Sequence, residues 1–434
     1  MSKAGSTGSA GRLKVAGVVA LVAVLLAGAG FYFWRTGGMS GTSGGDATVA
    51  GAGTPVLGAG PVATPADPKA RRDSSGRRLF TILGAGDVLV HPELTSQARR
   101  DAARSGQPGG LDFNPIFRQA RPAVAGADLA ICHLETPLAK PGGPFVGFPR
   151  FSVPPQVVDA VRGTGFDACS TASNHTLDQG EAGVGRTLAA LDAAKIGHTG
   201  SARNQKEFLT PRIYTRNGVR VGHLAYALHF NGLQRPAGKE WMANLIEPAK
   251  ILAAARKLRA AGANIVVLSL HWGTEYENLP DAKQEEWSKP LIASPDIDLI
   301  LGHHAHVVQP IEKVGQKWIA YGMGNEVARH LEPVFANREG VMARFTFTEV
   351  AKGRWRVTLA EAIPTWMDLN PDIRLVDLRA ALADPATPAS RRAIYQAAED
   401  RIRGHLLARG GAAAGLKVLG PVGPPSTPAA GPNG

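Results

Sequence analysis

A chain of 434 residues with 52 Gly, 31 Pro and a net charge of +12 has room for one large α/β domain flanked by ends too poor in apolar side chains to join a core. Its 48 Lys and Arg are scattered, with no basic run interleaved with aromatics; this excludes a nucleic-acid-binding module and reads the charge as solubility or attraction to an anionic surface or polymer. Two cysteines without CxxC or Cys/His ribbon spacing exclude a structural zinc site.

Residues 1–14 hold Lys3, Arg12 and Lys14 and read as a cytoplasmic N-terminus. Residues 15–34, VAGVVALVAVLLAGAGFYFW, carry no charge, and as a helix they span about 30 Å, the thickness of a bilayer core. They predict a single-pass anchor in the cell membrane with everything after Trp34 outside. The alternative is a signal peptide cleaved near Ala27-Gly28-Ala29, which would leave a secreted domain. Phe31, Tyr32, Phe33 and Trp34 continue the apolar stretch as an interface belt and favour the anchor. Residues 35–75 read as a flexible linker, 76–409 as the folded domain and 410–434 as a disordered tail.

Inside the domain, apolar runs at 79–88, 127–135, 166–174, 219–228, 264–272 and 297–306 alternate with helix patterns at 183–195, 248–261 and 284–293. Alternation of this kind predicts an α/β fold whose strands are buried between layers. Runs at 317–325, 342–350 and 354–362 lack intervening helices and read as an antiparallel group, followed by a helix over 389–407. Cys132 and Cys169 each sit in a buried run and read as free core thiols, a bridge being the alternative if their strands are neighbours.

Asp87, Glu135, Asn174, His271, His304 and His306 fall at or just past the C-terminal ends of these strands, the edge where open α/β sheets bind ligands. In Gly302-His303-His304-Ala305-His306, residues two apart in an extended segment share a side, so His304 and His306 point to one metal pair and His303 points away. His, Asn and carboxylate donors without Cys suit Mn, Fe, Zn or Mg; two such ions can clamp a phosphoryl oxygen and activate a water. His175, beside Asn174 and three residues before Asp178, is placed to donate a proton to a leaving group. A GxxxxGK[ST] phosphate loop, an HExxH helix and a G-x-S-x-G elbow are all absent.

At Gly86-Asp87, Leu134-Glu135, Asn174-His175 with Asp178 and Gly180, His271-Trp272-Gly273 with Glu275-Tyr276, His304-Ala305-His306-Val307, and 321–325, the sequence resembles the poly-gamma-glutamate capsule synthesis family, CapA. That family is similar in fold to the calcineurin-like metallophosphoesterases. The resemblance implies a four-layer αββα sandwich behind the anchor, two divalent ions, and a role in capsule or cell-envelope assembly. It makes Asp87, Glu135, Asn174, His271, His304 and His306 metal ligands and His175 the proton donor, with Asp178, Glu275 and Asn325 behind them. Two residues depart from the family pattern: His133 stands where Asn is usual, and Ser173 where the first Asn of a pair is usual. His133 is then an extra ligand or a supporting group. The Asp-x-His opening of the phosphoesterases is also missing, and His91 in the following turn is its candidate replacement. The implied partners are an anionic polymer or phosphoester, the membrane, and capsule-assembly proteins. A metal-dependent phosphoesterase acting on envelope or small-molecule phosphoesters is the alternative, and a binding protein without turnover is a third reading.

Overall fold

A computed structural model describes residues 71–107, 109–330 and 334–421. The expected cytoplasmic segment, the anchor over 15–34 with its alternative cleavage site, the linker up to residue 70 and the tail from 422 lie outside the described residues. Among the described residues, no helix is long and apolar enough to cross a membrane.

The fold is mixed α/β and rich in sheet. Its strands are β1 (Leu79–Leu89), β2 (Leu129–Leu134), β3 (Ala168–Ser170), β4 (Gly197–Thr199), β5 (Ile213–Arg216), β6 (Val219–Ala227), β7 (Ile265–His271), β8 (Leu299–His303), β9 (Ile311–Val314), β10 (Lys317–Ala320), β11 (Asn325–Ala328), β12 (Glu339–Ala351), β13 (Arg354–Asp368), β14 (Arg374–Asp377) and β15 (Leu416–Val418). Among the described residues they form a nine-stranded sheet, ordered β14-β13-β12-β1-β2-β3-β4 with β11 on β1 and β15 on β13, and a six-stranded sheet, ordered β5-β6-β7-β8-β10-β9. The runs β1-β2-β3-β4 and β6-β7-β8 are parallel.

Alternation along these strands explains the layers, because successive side chains leave opposite faces. Phe80, Ile82, Leu129 and Ile131 of the first sheet share one core with Val221, Ile265, Val267, Leu299 and Leu301 of the second. On the far side of the first sheet, Leu83, Ala130 and Cys132 meet residues of the helices over 92–104, 157–164 and 180–193. On the far side of the second, Val266, Leu268 and Leu270 meet Ile251, Leu258, Leu291 and Ile292. Each fully buried aliphatic side chain contributes about 1.5–3 kcal/mol, which is why strands this apolar are covered on both faces. Helix boundaries follow local chemistry: Asp281 and Gln284 form a capping box before Ala282–Ala293, and Gly165 ends the helix Val157–Thr164 in the left-handed region.

Four expectations are corrected. Cys132 and Cys169 are bonded, with Cα atoms 4.5 Å apart, because parallel pairing of β2 and β3 sets them directly opposite each other on one face. The run over 317–325 does not join the antiparallel group as one strand: β10 pairs parallel with β8, and the chain then crosses sheets so that β11 pairs parallel with β1. Residues 71–75, expected in the linker, are tied to the domain, with Arg71 Nη2 donating to Thr81 Oγ1 at 2.7 Å. The folded chain also passes the expected end at 409, since β15 pairs with β13 and Leu419 N donates to Ala362 O at 2.9 Å. The helix Ala389–Leu407 occupies the span read for it and packs Tyr395, Ile402 and Leu406 into the core between the sheets.

Candidate metal centre

The parallel strands of both sheets end in the same place. Near the end of β1 its register with β2 shifts between Gly84 and Asp87. A Cβ on Gly86 would lie 2.4 Å from Gly324 O, so glycine is what lets β11 approach there. Glu135 follows β2, Asn174 lies in the loop after β3, and His271 and His303 are the last residues of β7 and β8. His304 and His306 then take φ values of 88° and 55°, so the chain coils back instead of continuing extended.

That coil overturns the expected facing of His303. It is not a bystander: its Nδ1 lies 3.2 Å from Asp87 Oδ1, while the backbone N–H of His304 donates to Asp87 Oδ2 at 3.1 Å. Side-chain alternation holds only while the backbone stays extended, and it ends at His303. His306 places Nδ1 3.0 Å from Asn325 Oδ1 and 3.2 Å from Asp87 Oδ2, and Nε2 3.6 Å from Glu135 Oε1. His271 Nε2 lies 3.1 Å from Asn174 Oδ1. His175 donates from Nδ1 to Asp178 Oδ2 at 2.7 Å, and Asp178 is held in turn by the N–H of Phe151. Among the described residues, no hydrogen bond engages Nε2 of His175.

Burial governs the charges. It would raise the Asp87 carboxyl, but hydrogen bonds from His303 and His306 outweigh it and hold the group well below the usual carboxylate range. Burial pushes Glu135 well above that range. His306 reverses the ordinary effect of burial on an imidazole, because Glu135 first and then Asp87 lift it to about 10. His304 is lowered to about 3 by burial and by the neighbouring His306.

The donor set fits divalent ions. Glu135 Oε1 and Oε2, His303 Nε2 and His304 Nδ1 are buried without a hydrogen-bond partner, a costly arrangement that a cation would relieve. Ligand atoms of Asp87, Glu135 and His306 lie within 4.8 Å of one another, as do those of His133, Glu135 and His271, so Glu135 is common to both groups of donors. Glu275, 41% exposed, stands 4.0 Å from His304 Nδ1 at the rim. The six expected ligand residues and His133 are therefore brought together.

His91 is not among them. Its Nδ1 lies 3.0 Å from Leu89 O, and its ring rests on Phe151 and His330, so it does not replace the missing histidine of an Asp-x-His opening. Sequence reasoning missed Ser170, 2.7 Å from His133, and His330, 3.1 Å from Asn325 Nδ2. The one signal for His330 was its position five residues beyond Asn325. A separate cavity of about 310 Å3 runs along β6 and the helix Pro248–Ala260, and none of its lining residues belongs to this centre.

Fold and centre together define a mixed α/β protein with a buried histidine–carboxylate site of metal-binding composition on the C-terminal ends of parallel strands. The chain belongs to the bacterial capsule synthesis protein PGA_cap family, whose family model matches residues 81–330, more than half of its length. It is 30% identical over 257 residues to the capsule biosynthesis protein CapA of Bacillus anthracis, covering 57% of this chain and 59% of that protein. It is 26% identical over 211 residues to the PGA biosynthesis protein CapA of Bacillus subtilis (strain 168), covering 48% and 54% respectively. The chain thus spans somewhat more than half the length of these curated relatives. Solved structures with partial similarity include the calcineurin-like phosphoesterase YfkN from Bacillus subtilis, with a TM-score of 0.39 at 12% identity over 75% of this chain and 96% of that one. Another is a 5'-nucleotidase precursor from Thermus thermophilus, with a TM-score of 0.39 at 13% identity over 75% and 59%.

Proposed function

We propose that this protein is an extracytoplasmic accessory of capsule or anionic-polymer assembly, anchored through residues 15–34, whose centre holds two divalent ions and binds or processes the end of a polymer such as poly-gamma-glutamate. Membership of the PGA_cap family supports the capsule role. The Cys132–Cys169 disulfide supports an oxidising compartment outside the cytoplasm. Two sheets facing each other across one core, with helices packed outside each, support reading the domain as the αββα sandwich of the metallophosphoesterases.

The observation that carries the metal reading is the pair of buried oxygens of Glu135 that no hydrogen bond satisfies, set among the histidines of two strand ends. In this reading Asp87, Glu135, Asn174, His271, His304 and His306 hold Mn, Fe, Zn or Mg, and the ions supply Lewis-acid polarisation of a phosphoryl or carbonyl oxygen. Asp178 fixes the tautomer of His175, whose Nε2 then delivers a proton to a leaving group. That dyad is the specific observation favouring the second reading, a metal-dependent phosphoesterase acting on envelope or small-molecule phosphoesters.

Elemental analysis of the purified full-length protein, paired with assays on phosphoesters and gamma-glutamyl polymers, tests both readings. Asn174→Ala, His304→Ala and His306→Ala are expected to lower cation content. His175→Ala is expected to keep the cations and to lose about a hundred- to ten-thousand-fold in turnover. A wild-type protein that takes up none of the four metals rules out the metal reading. A His175→Ala protein with full turnover rules out the proton-donor role.

A further inference from the structure

His133, Ser170 and His271 form an unbroken buried chain. Ser170 Oγ lies 2.7 Å from Nδ1 of His133, and Nε2 of His133 lies 2.9 Å from Nδ1 of His271, whose own Nε2 lies 3.1 Å from Asn174 Oδ1. At the other end, Ser170 Oγ lies 3.4 Å from Cys132 O. Where two imidazole nitrogens share one hydrogen, the tautomer of one ring dictates that of the other. The 2.9 Å contact between His133 Nε2 and His271 Nδ1 has room for one hydrogen, so one of these two nitrogens presents a lone pair to the other.

With one N–H on each ring, two hydrogen orders run along this chain, and each leaves one contact without a hydrogen: Ser170 to Cys132 O in the first, His271 Nε2 to Asn174 Oδ1 in the second. In the first, the Ser170 hydroxyl donates to His133 Nδ1, His133 Nε2–H donates to His271 Nδ1, and His271 Nε2–H donates to Asn174 Oδ1. In the second, His271 Nδ1–H donates to His133 Nε2, His133 Nδ1–H donates to Ser170 Oγ, and the hydroxyl turns to Cys132 O. The second order alone leaves a lone pair on His271 Nε2. Going from first to second, one hydrogen leaves His271 Nε2, two pass along the chain, and one returns from solvent to Ser170. Hydrogen count and charge are unchanged.

We propose that Ser170, His133 and His271 are a two-state hydrogen relay, that a divalent cation on His271 Nε2 selects the second state, and that His133 is thereby a positioning residue for that cation. The inference rests on the metal reading above and deepens it. Ligation by His133 itself together with His303 is disfavoured by their stacking, with centroids 4.1 Å apart and planes 18° from parallel. Lone pairs lie in the plane of each ring, so two nearly parallel rings aim theirs into separate planes.

Ring-nitrogen NMR of full-length protein labelled with 15N at histidine, recorded without metal and with Zn2+, reads the relay directly. Without metal, His133 and His271 are expected as Nε2–H tautomers; with Zn2+, both are expected to switch to Nδ1–H, with a metal shift on His271 and none on His133. A His133 that stays Nε2–H while His271 binds Zn2+ overturns the proposal alone, as does a metal shift on His133. Failure to take up Zn2+ overturns the relay, and failure to take up Mn, Fe and Mg as well overturns the metal reading with it. Affinity supplies a second measure: His133→Phe, which keeps a ring but no nitrogen, is expected to weaken Zn2+ binding by about ten- to a hundredfold. His133→Gln, whose amide oxygen can accept the His271 Nδ1–H, is expected to recover most of it. Equal losses in the two variants, or none in the Phe variant, contradict a positioning role.

Discussion

Asn325 Oδ1 accepts the Nδ1–H of His306 at 3.0 Å, and the Asn325 amide cannot be turned round. Its Nδ2 donates to two backbone carbonyls, His306 O at 3.2 Å and Asn337 O at 2.8 Å, and lies 3.1 Å from His330 Nε2. The oxygen must therefore face the imidazole, which puts a hydrogen on Nδ1 and aims Nε2 at Glu135.

Asn325→Leu removes that constraint without removing a ligand. Cation affinity is expected to fall by about ten- to a hundredfold, with full occupancy still reached at high cation concentration. Competition titration against a chelator measures this. Wild-type affinity in the variant would mean that His306 is oriented by Asp87 alone.

His303 leads to a related expectation. Its Nδ1–H is one of three donors on Asp87, the others being the backbone N–H of His304 and Nδ1 of His306. His303→Ala is expected to weaken cation binding about tenfold, whereas His306→Ala loses bound cation outright. Elemental analysis after dialysis separates the two, and undiminished affinity in His303→Ala would restore the bystander reading.

The convergence of Asp87, Glu135, Asn174 and His271 was legible because parallel strands buried on both faces tolerate such residues only at their ends. The side of His303 was not, since alternation presumes extended backbone and the left-handed residues at 304 and 306 leave no trace in a hydropathy pattern. The bond between Cys132 and Cys169 was hidden for another reason: which buried strands become neighbours is decided by topology, not by either strand's own sequence. Asn217-Gly218, with φ of 47° and 68°, did carry a turn signal, and it closes the β5–β6 hairpin that hydropathy alone passed over. Ser170 looked like an ordinary strand residue, because its role depends on a histidine 37 positions away.

Glu326, one residue past Asn325 on β11, points to the opposite side and is fully buried, with neither carboxyl oxygen hydrogen-bonded. Burial lifts it to about 8, from an ordinary 4.5. The unfolded chain thus loses this proton first as pH rises, so the native state loses stability between roughly pH 4.5 and 8, by at most about 1.4 kcal/mol per pH unit. Glu326→Gln removes this contribution and leaves other titrating groups in place. The difference in unfolding free energy between variant and wild type should therefore move in favour of the variant from pH 5 to 8, read by urea denaturation at each pH. A difference that does not change with pH would mean that Glu326 is not titrating in this range.

The disulfide is expected to matter more for stability than for the centre. Cys132 and Cys169 are separated by 37 residues, and a crosslink closing a loop of that size restricts the unfolded chain by about 4 kcal/mol on chain-entropy grounds. β2 and β3 remain paired through their backbones, and Cys132 and Cys169 face the helices over 92–104, 157–164 and 180–193, away from the other sheet. The double substitution Cys132→Ala with Cys169→Ala should therefore lower the unfolding free energy by a few kcal/mol while leaving cation content near the wild-type level. Denaturation and elemental analysis on the same preparation decide the matter. A variant that keeps its stability but loses cation would show the opposite coupling: that the crosslink positions His133 and Ser170, the immediate chain neighbours of the two cysteines, and through them His271.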